Sequence, residues 1–161
     1  MDLVYTGEKF DENKKICLLA GPTPRDKDVL SWRGEAIKMF DDLGFSDIVY
    51  VPEFRHKSYY DYETGVNEMK FDQDMLERAD VVMFWIPRSN DMLGLSTNIE
   101  FGYLLNKGNI VYGRPDNAMR CEFLDFLYKE KLGKNYLSTL ENKWEILDLH
   151  CDPNGAYYKE V

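Results

Sequence analysis

The chain has 161 residues, of which 44% are hydrophobic, 14% aromatic and 30% charged. This composition is that of a folded protein, and the length suffices to bury roughly two thirds of the unfolded surface without a disulfide or metal staple. A formal net charge of −9 with no offsetting Lys/Arg block excludes a nucleic-acid polymer and an anionic membrane surface as partners.

The expected organisation is one domain spanning residues 1–161. No apolar run approaches the length of a membrane span, and the N-terminal stretch MDLVYTGEKFDENKK lacks the basic and apolar regions of a signal peptide. A cytoplasmic location is the expectation. The cysteines Cys17, Cys121 and Cys151 include no CxxC pair, and the only imidazoles, His56 and His150, are distant from them in sequence save the neighbours His150 and Cys151. Neither a metal nor another cofactor is expected.

In chain order, KKICLLAG (14–21) is a continuous apolar run stopped by Gly-Pro, as expected of a strand buried on both faces. The segment LSWRGEAIKMFDDLG predicts a helix: Trp32, Ala36, Ile37, Phe40 and Leu43 recur at helical spacing, Ser31 is placed to cap it and Gly44 to end it. DIVYVP (47–52) is a second strand. A tyrosine-rich loop with Tyr59, Tyr60 and Tyr62 leads to a second helix, NEMKFDQDMLERAD, and then to VVMFWIP (81–87), the strongest strand signal. After the loop RSNDMLGLS and the segment TNIEFGYLL comes a fourth strand, NIVYG (109–113). RPDNAMRCEFLDFLYKEKLG and LSTLENKWEILDLH are helical by pattern.

Strands that alternate with helices and read as solid apolar runs predict an α/β fold. It is a Rossmann-like or flavodoxin-like doubly wound parallel sheet of four to five strands, with helices on both faces. With the order 2-1-3-4, a ligand site falls beyond the carboxyl ends of the first and third of these strands. The loops GPTPR and IPRSNDMLGLSTNIE emerge there.

Within these loops Glu100 has two readings. TNIE fits a capping box, with Thr97 and Glu100 exchanging side-chain to backbone hydrogen bonds. Alternatively, the partial positive charge of a helix N-terminus keeps Glu100 ionised as a nucleophile. Asp72, before the third strand, and Asp91, in the loop before Glu100, are the acids that would work with it, since paired carboxyls are a known means of breaking a glycosidic bond. Gly21, Pro22 and Arg25 form a turn able to hold a hydroxyl, carbonyl or phosphate. Arg88 and Arg114 follow strands three and four, which suggests an anionic or carbonyl-rich ligand. Phe71 and the tyrosines offer rings for stacking, against the alternative that they fill the core. GxGxxG, GxxxxGK[ST] and GxSxG are all absent.

LLAGPTPR, SWRGEAI, GF followed by IVYVPEF, ADVVMFWIPR, TNIEFGYLL and VYGRPDNA, in this order, resemble the nucleoside 2-deoxyribosyltransferase-like family over roughly residues 15–128. The resemblance implies cleavage of the N-glycosidic bond of a 2'-deoxynucleoside. Glu100 would attack C1' to give a covalent deoxyribosyl-enzyme, and a second base would then take the sugar. It implies an assisting role for Asp72, a sugar or base contact for Asp91, and an orienting role for Asn98. Related sequences carry a Trp-Glu pair with an upstream glutamine where this chain has Phe71 and Asp72 with Glu68, a departure that bears on base selectivity.

The implied partners are a deoxynucleoside or deoxynucleotide and a free nucleobase. A homo-oligomer is also implied, with the C-terminal NGAYYKEV a candidate to reach a neighbouring subunit. Two other activities fit the same residues. One is a 2'-deoxynucleoside 5'-monophosphate N-glycosidase, in which water is the acceptor and Arg25, Arg88 or Arg114 holds the phosphate. The other is a nucleotide sensor without turnover.

Overall fold

The computed structural model describes residues 1–56 and 65–140. Tyr59, Tyr60 and Tyr62, most of the final expected helix, and the C-terminal NGAYYKEV lie outside the described residues. The elements are β1 (Asp2–Tyr5), β2 (Ile16–Ala20), α1 (Arg33–Asp42), β3 (Ile48–Val51), α2 (Val66–Arg78), β4 (Val81–Trp85), α3 (Leu95–Leu104), β5 (Ile110–Gly113) and α4 (Glu122–Leu132). They build a five-stranded, all-parallel sheet in the order β1-β3-β2-β4-β5, the doubly wound α/β architecture expected. The four expected strands are β2 to β5 in the order anticipated, and β1 is an additional edge beside β3.

Period-two alternation sorts the strand side chains onto two faces. Ile16, Leu18, Ile48, Tyr50, Val82, Phe84, Ile110 and Tyr112 pack on one face with Met75 and Leu76 of α2, Phe101 and Leu104 of α3, and Leu124 and Tyr128 of α4. Cys17, Leu19, Val49, Val51, Val81, Met83 and Val111 pack on the other with Ala36, Met39 and Phe40 of α1. A one-residue slip of any central strand would exchange the two sets, so the core fixes the register.

Helix ends differ from the sequence expectation in instructive ways. α1 starts at Arg33, and Ser31 lies just before it. The Ser31 hydroxyl accepts from the Arg33 N–H at 3.3 Å and donates to Glu53 at 2.8 Å. Gly44 ends α1 as expected: at φ +69°, its N–H and that of Phe45 close on the carbonyls of Asp41 and Phe40. The fourth helix is shorter than its pattern. Residues 114–121 form a turn-rich loop after Pro115, and α4 begins at Glu122. Leu137 does not open a helix but bridges to Gly113 in parallel.

Among the described residues, no helix is long and apolar enough to cross a membrane. Nor does any group of three or more His, Cys, Asp or Glu side chains there form a metal-holding cluster.

Candidate active site

β2 and β4 are neighbours, but the chain leaves β2 for α1 on one face and β4 for α3 on the other. A crevice opens at that divergence, where α/β sheets bind ligands. It holds a cavity of about 340 Å³, lined by Gly21, Pro22 and Arg25 after β2, Arg33 of α1, Asp72 of α2, and Glu100 of α3, among others.

The wall after β2 depends on close backbone approach. A Cβ on Gly21 would lie 2.1 Å from the Trp85 carbonyl oxygen and 2.8 Å from the Trp32 ring, so only glycine fits. The Trp32 indole N–H donates to the Pro22 carbonyl at 3.0 Å. Arg33 completes the clamp from beneath and is 1% exposed. Its guanidinium donates to the carbonyls of Leu19 (3.0 Å) and Gly21 (2.8 Å), to the Thr23 hydroxyl (3.1 Å) and to Glu53 (2.7 Å). Across the crevice Gly94, at φ +62°, lets the chain enter α3 against the Pro22 ring.

The two carboxylates lie on α2 and α3, which pack on the same face of the sheet. The Asp72 Oδ1 atom accepts from the Tyr50 hydroxyl and, at 2.8 Å, from the Thr6 hydroxyl. Burial pushes Asp72 above the usual carboxylate range, opposed by these two hydroxyls and by Arg33, with Glu68 adding to the rise. Glu100 is also raised, first by burial and further by the charge of Asp72, while Arg33 pulls it down. One cation thus faces two acids, lowering both, while the charge of Asp72 disfavours ionisation of Glu100.

The capping-box reading of Glu100 is corrected. α3 begins at Leu95 with Gly94 in the cap position, which puts Thr97 inside the first turn and Glu100 in the second. The favourable field of the helix terminus fades over that first turn. Arg33, and not the helix mouth, is the positive group that favours ionised Glu100.

The other expected residues are placed as follows. Asp91 is exposed and, with Arg25 and Lys27, lines a separate, shallower depression beside the cavity. Phe71 backs the site, its ring 6.1 Å from that of Tyr50. Arg88 is buried and donates to the Arg120 carbonyl and to the Asn98 side chain, which ties Asn98 to Arg88. Arg114 pairs with Asp125 at 2.8 Å and covers the Tyr136 ring at 4.0 Å. The structure therefore brings Gly21, Pro22, Arg25, Asp72 and Glu100 together in one cavity and distributes the rest around it.

Sequence reasoning missed Arg33, Thr6, Tyr50 and Glu53. Arg33 stood in the quoted segment SWRGEAI, but its partners are distant and partly backbone. It also missed Gln73, which lines the cavity and donates to Glu77 at 2.9 Å. An amide is thus present at the rim although position 68 carries a glutamate.

This arrangement defines a Rossmann-like α/β protein with a small-molecule cavity and a carboxylate pair at its switch point. Residues 14–117 match the model of the family described as nucleoside 2-deoxyribosyltransferase like, and the chain belongs to that family. No curated protein matches the chain in sequence.

Proposed function

We propose that the protein is a nucleoside 2-deoxyribosyltransferase acting through Glu100 and Asp72. The observation that carries this reading is the meeting of these two carboxyls, from α3 and α2, in one cavity beside Arg33. Ionised Glu100 attacks C1' of a 2'-deoxynucleoside, the C1'–N bond breaks, and the base leaves with a proton from Asp72. A second base attacks C1' of the glycosyl ester, gives its proton to Asp72 and releases Glu100.

The charge of the cavity supports a nucleoside in preference to its 5'-monophosphate. Arg33 is committed to Glu53, Arg88 to Arg120 and Asn98, and Arg114 to Asp125. Arg25 stands at the rim against Asp72 and Glu100 within, a balance that does not favour a dianion.

The test offers a panel of 2'-deoxynucleosides and their monophosphates, with and without a second free base, and separates products by chromatography. Base exchange is expected, and a loss on the order of a thousandfold or more in Glu100→Gln. Release of deoxyribose or its phosphate with no exchange would replace transfer by hydrolysis. Wild-type rates in Glu100→Gln would remove Glu100 as nucleophile.

Assembly as a homo-oligomer is part of the same reading. Support comes from α3, which exposes Leu95 (63%), Ile99 (76%) and Tyr103 (52%) at four-residue spacing. This apolar stripe starts at the cavity rim.

A further inference from the structure

The segment that matches the family begins at residue 14, yet one of the two hydrogen-bond donors on Asp72 is residue 6. β1 supplies it. The strand pairs with β3 in parallel, Val4 opposite Tyr50 and Tyr5 opposite Val51, and the ladder is prolonged by the Thr6 N–H donating to the Glu53 carbonyl at 3.1 Å. Val4 packs in the cluster that contains Tyr50 and α2. Thr6, two residues further on, turns its hydroxyl to the same face, where α2 presents Asp72. Thr6 is 8% exposed, and its hydroxyl lies 3.3 Å from that of Tyr50.

Both hydroxyls converge on the same oxygen, Oδ1. A carboxylate oxygen offers two lone-pair sites, and here both are occupied. A proton on Asp72 therefore resides on Oδ2. We propose that Thr6, delivered by the edge strand β1, is a positioning residue: with Tyr50 it holds Oδ1 and leaves Oδ2 as the oxygen through which Asp72 exchanges a proton with the base. The proposal rests on the reading of Asp72 as the proton-transferring acid.

The charged and titratable groups that face Asp72 are Tyr50 of β3, Arg33 of α1, Glu68 of α2 and Glu100 of α3. Thr6 adds a neutral donor from the end of β1. Thr6→Val keeps the shape and removes that donor, withdrawing one of two hydroxyls that favour the ionised carboxylate.

The experiment uses the full chain and reads Asp72 directly, by a carboxyl carbon NMR titration without substrate, with Asp72→Asn identifying the signal. In Thr6→Val the midpoint should rise by about one pH unit, in Thr6→Ser it should return, and Tyr50→Phe should raise it in the same direction. In base exchange, Thr6→Val should lower kcat about five- to tenfold with KM nearly unchanged, with the alkaline side of the pH profile, where Asp72 must still carry its proton, displaced to higher pH and Thr6→Ser restoring both. An unmoved Asp72 midpoint in folded Thr6→Val and Tyr50→Phe overturns the proposal. An unchanged kcat despite a moved midpoint also overturns it. A midpoint that moves in Thr6→Val, together with a wild-type chain that turns over no deoxynucleoside, overturns the functional reading while leaving the hold on Oδ1 standing.

Discussion

Arg33 and Glu53 form an ion pair at 2.7 Å with side chains only 2% and 6% exposed. The pair joins the start of α1 to the end of β3 beneath the cavity floor. Removing one partner leaves the other charged and almost wholly buried, at a cost of about 3–5 kcal/mol. Glu53→Ala should lower stability by that amount in urea denaturation. It also frees a guanidinium that holds the 21–23 loop, so residual activity should fall as well.

Gly21 gives a prediction of a different kind. The 2.1 Å separation between a Cβ there and the Trp85 carbonyl oxygen cannot be relieved by rotating a side chain, because the obstacle is backbone. Gly21→Ala should destabilise by about 2–3 kcal/mol. It should also raise KM, since β2 and β4 must separate at the point where the cavity opens. Denaturation and steady-state kinetics on the same preparation check both.

Burial raises Asp72 and Glu100 above their ordinary values near 3.8 and 4.5. A carboxyl raised in the folded state favours folding below its unfolded pKa and loses that contribution as pH climbs through the folded value. At neutral pH both groups therefore weaken the fold. Glu100→Gln and Asp72→Asn, which are neutral and of equal size, should each melt about 2–4 °C higher than the wild type at pH 7. The difference should vanish below about pH 4, where all the chains carry neutral side chains at these positions. Calorimetry across pH measures it.

The same elevation shapes catalysis. Attack needs ionised Glu100, so kcat/KM should decline as pH falls through the raised midpoint of the Glu100–Asp72 pair. Arg33 pulls Glu100 down, so Arg33→Met should move that decline to higher pH. Its activity should drop more at pH 6 than at pH 8. A profile that keeps its wild-type position in Arg33→Met would mean that the guanidinium does not act on the nucleophile.

The sheet was legible because its central strands are buried on both faces. ICLLA, IVYV, VVMFW and IVYG are fully buried throughout, and such runs announce themselves without any partner in view. β1 was not, because an edge strand of four residues in which only Val4 is buried carries no apolar run. TNIE misled for a related reason. The T-x-x-E spacing suits a helix start, but it also occurs inside a helix, and Gly94 rather than Thr97 takes the cap position.

At the candidate site, the residues visible in sequence were those beside glycine and proline or in quoted segments: Gly21, Pro22, Arg25, Asp72 and Glu100. Their supports were hidden by distance along the chain. Tyr50 lies in a strand that reads as core, yet its hydroxyl reaches Asp72. Arg114 shows the reverse case. Its place after a strand suggests a ligand contact, and the structure pairs it with Asp125, 11 residues on.

The position of β1 at the rim of the sheet has a consequence for how the protein fails under heat. A short edge strand with one neighbour and one buried side chain opens by local fluctuation at far lower free energy than the strands beneath it. Thr6 leaves with it, while β2, β3, β4 and β5 stay packed. Turnover should then decline at temperatures where circular dichroism still reports an intact sheet, and the earliest amide exchange should map to residues 2–6. Loss of competence would precede loss of structure, and it would reverse on cooling.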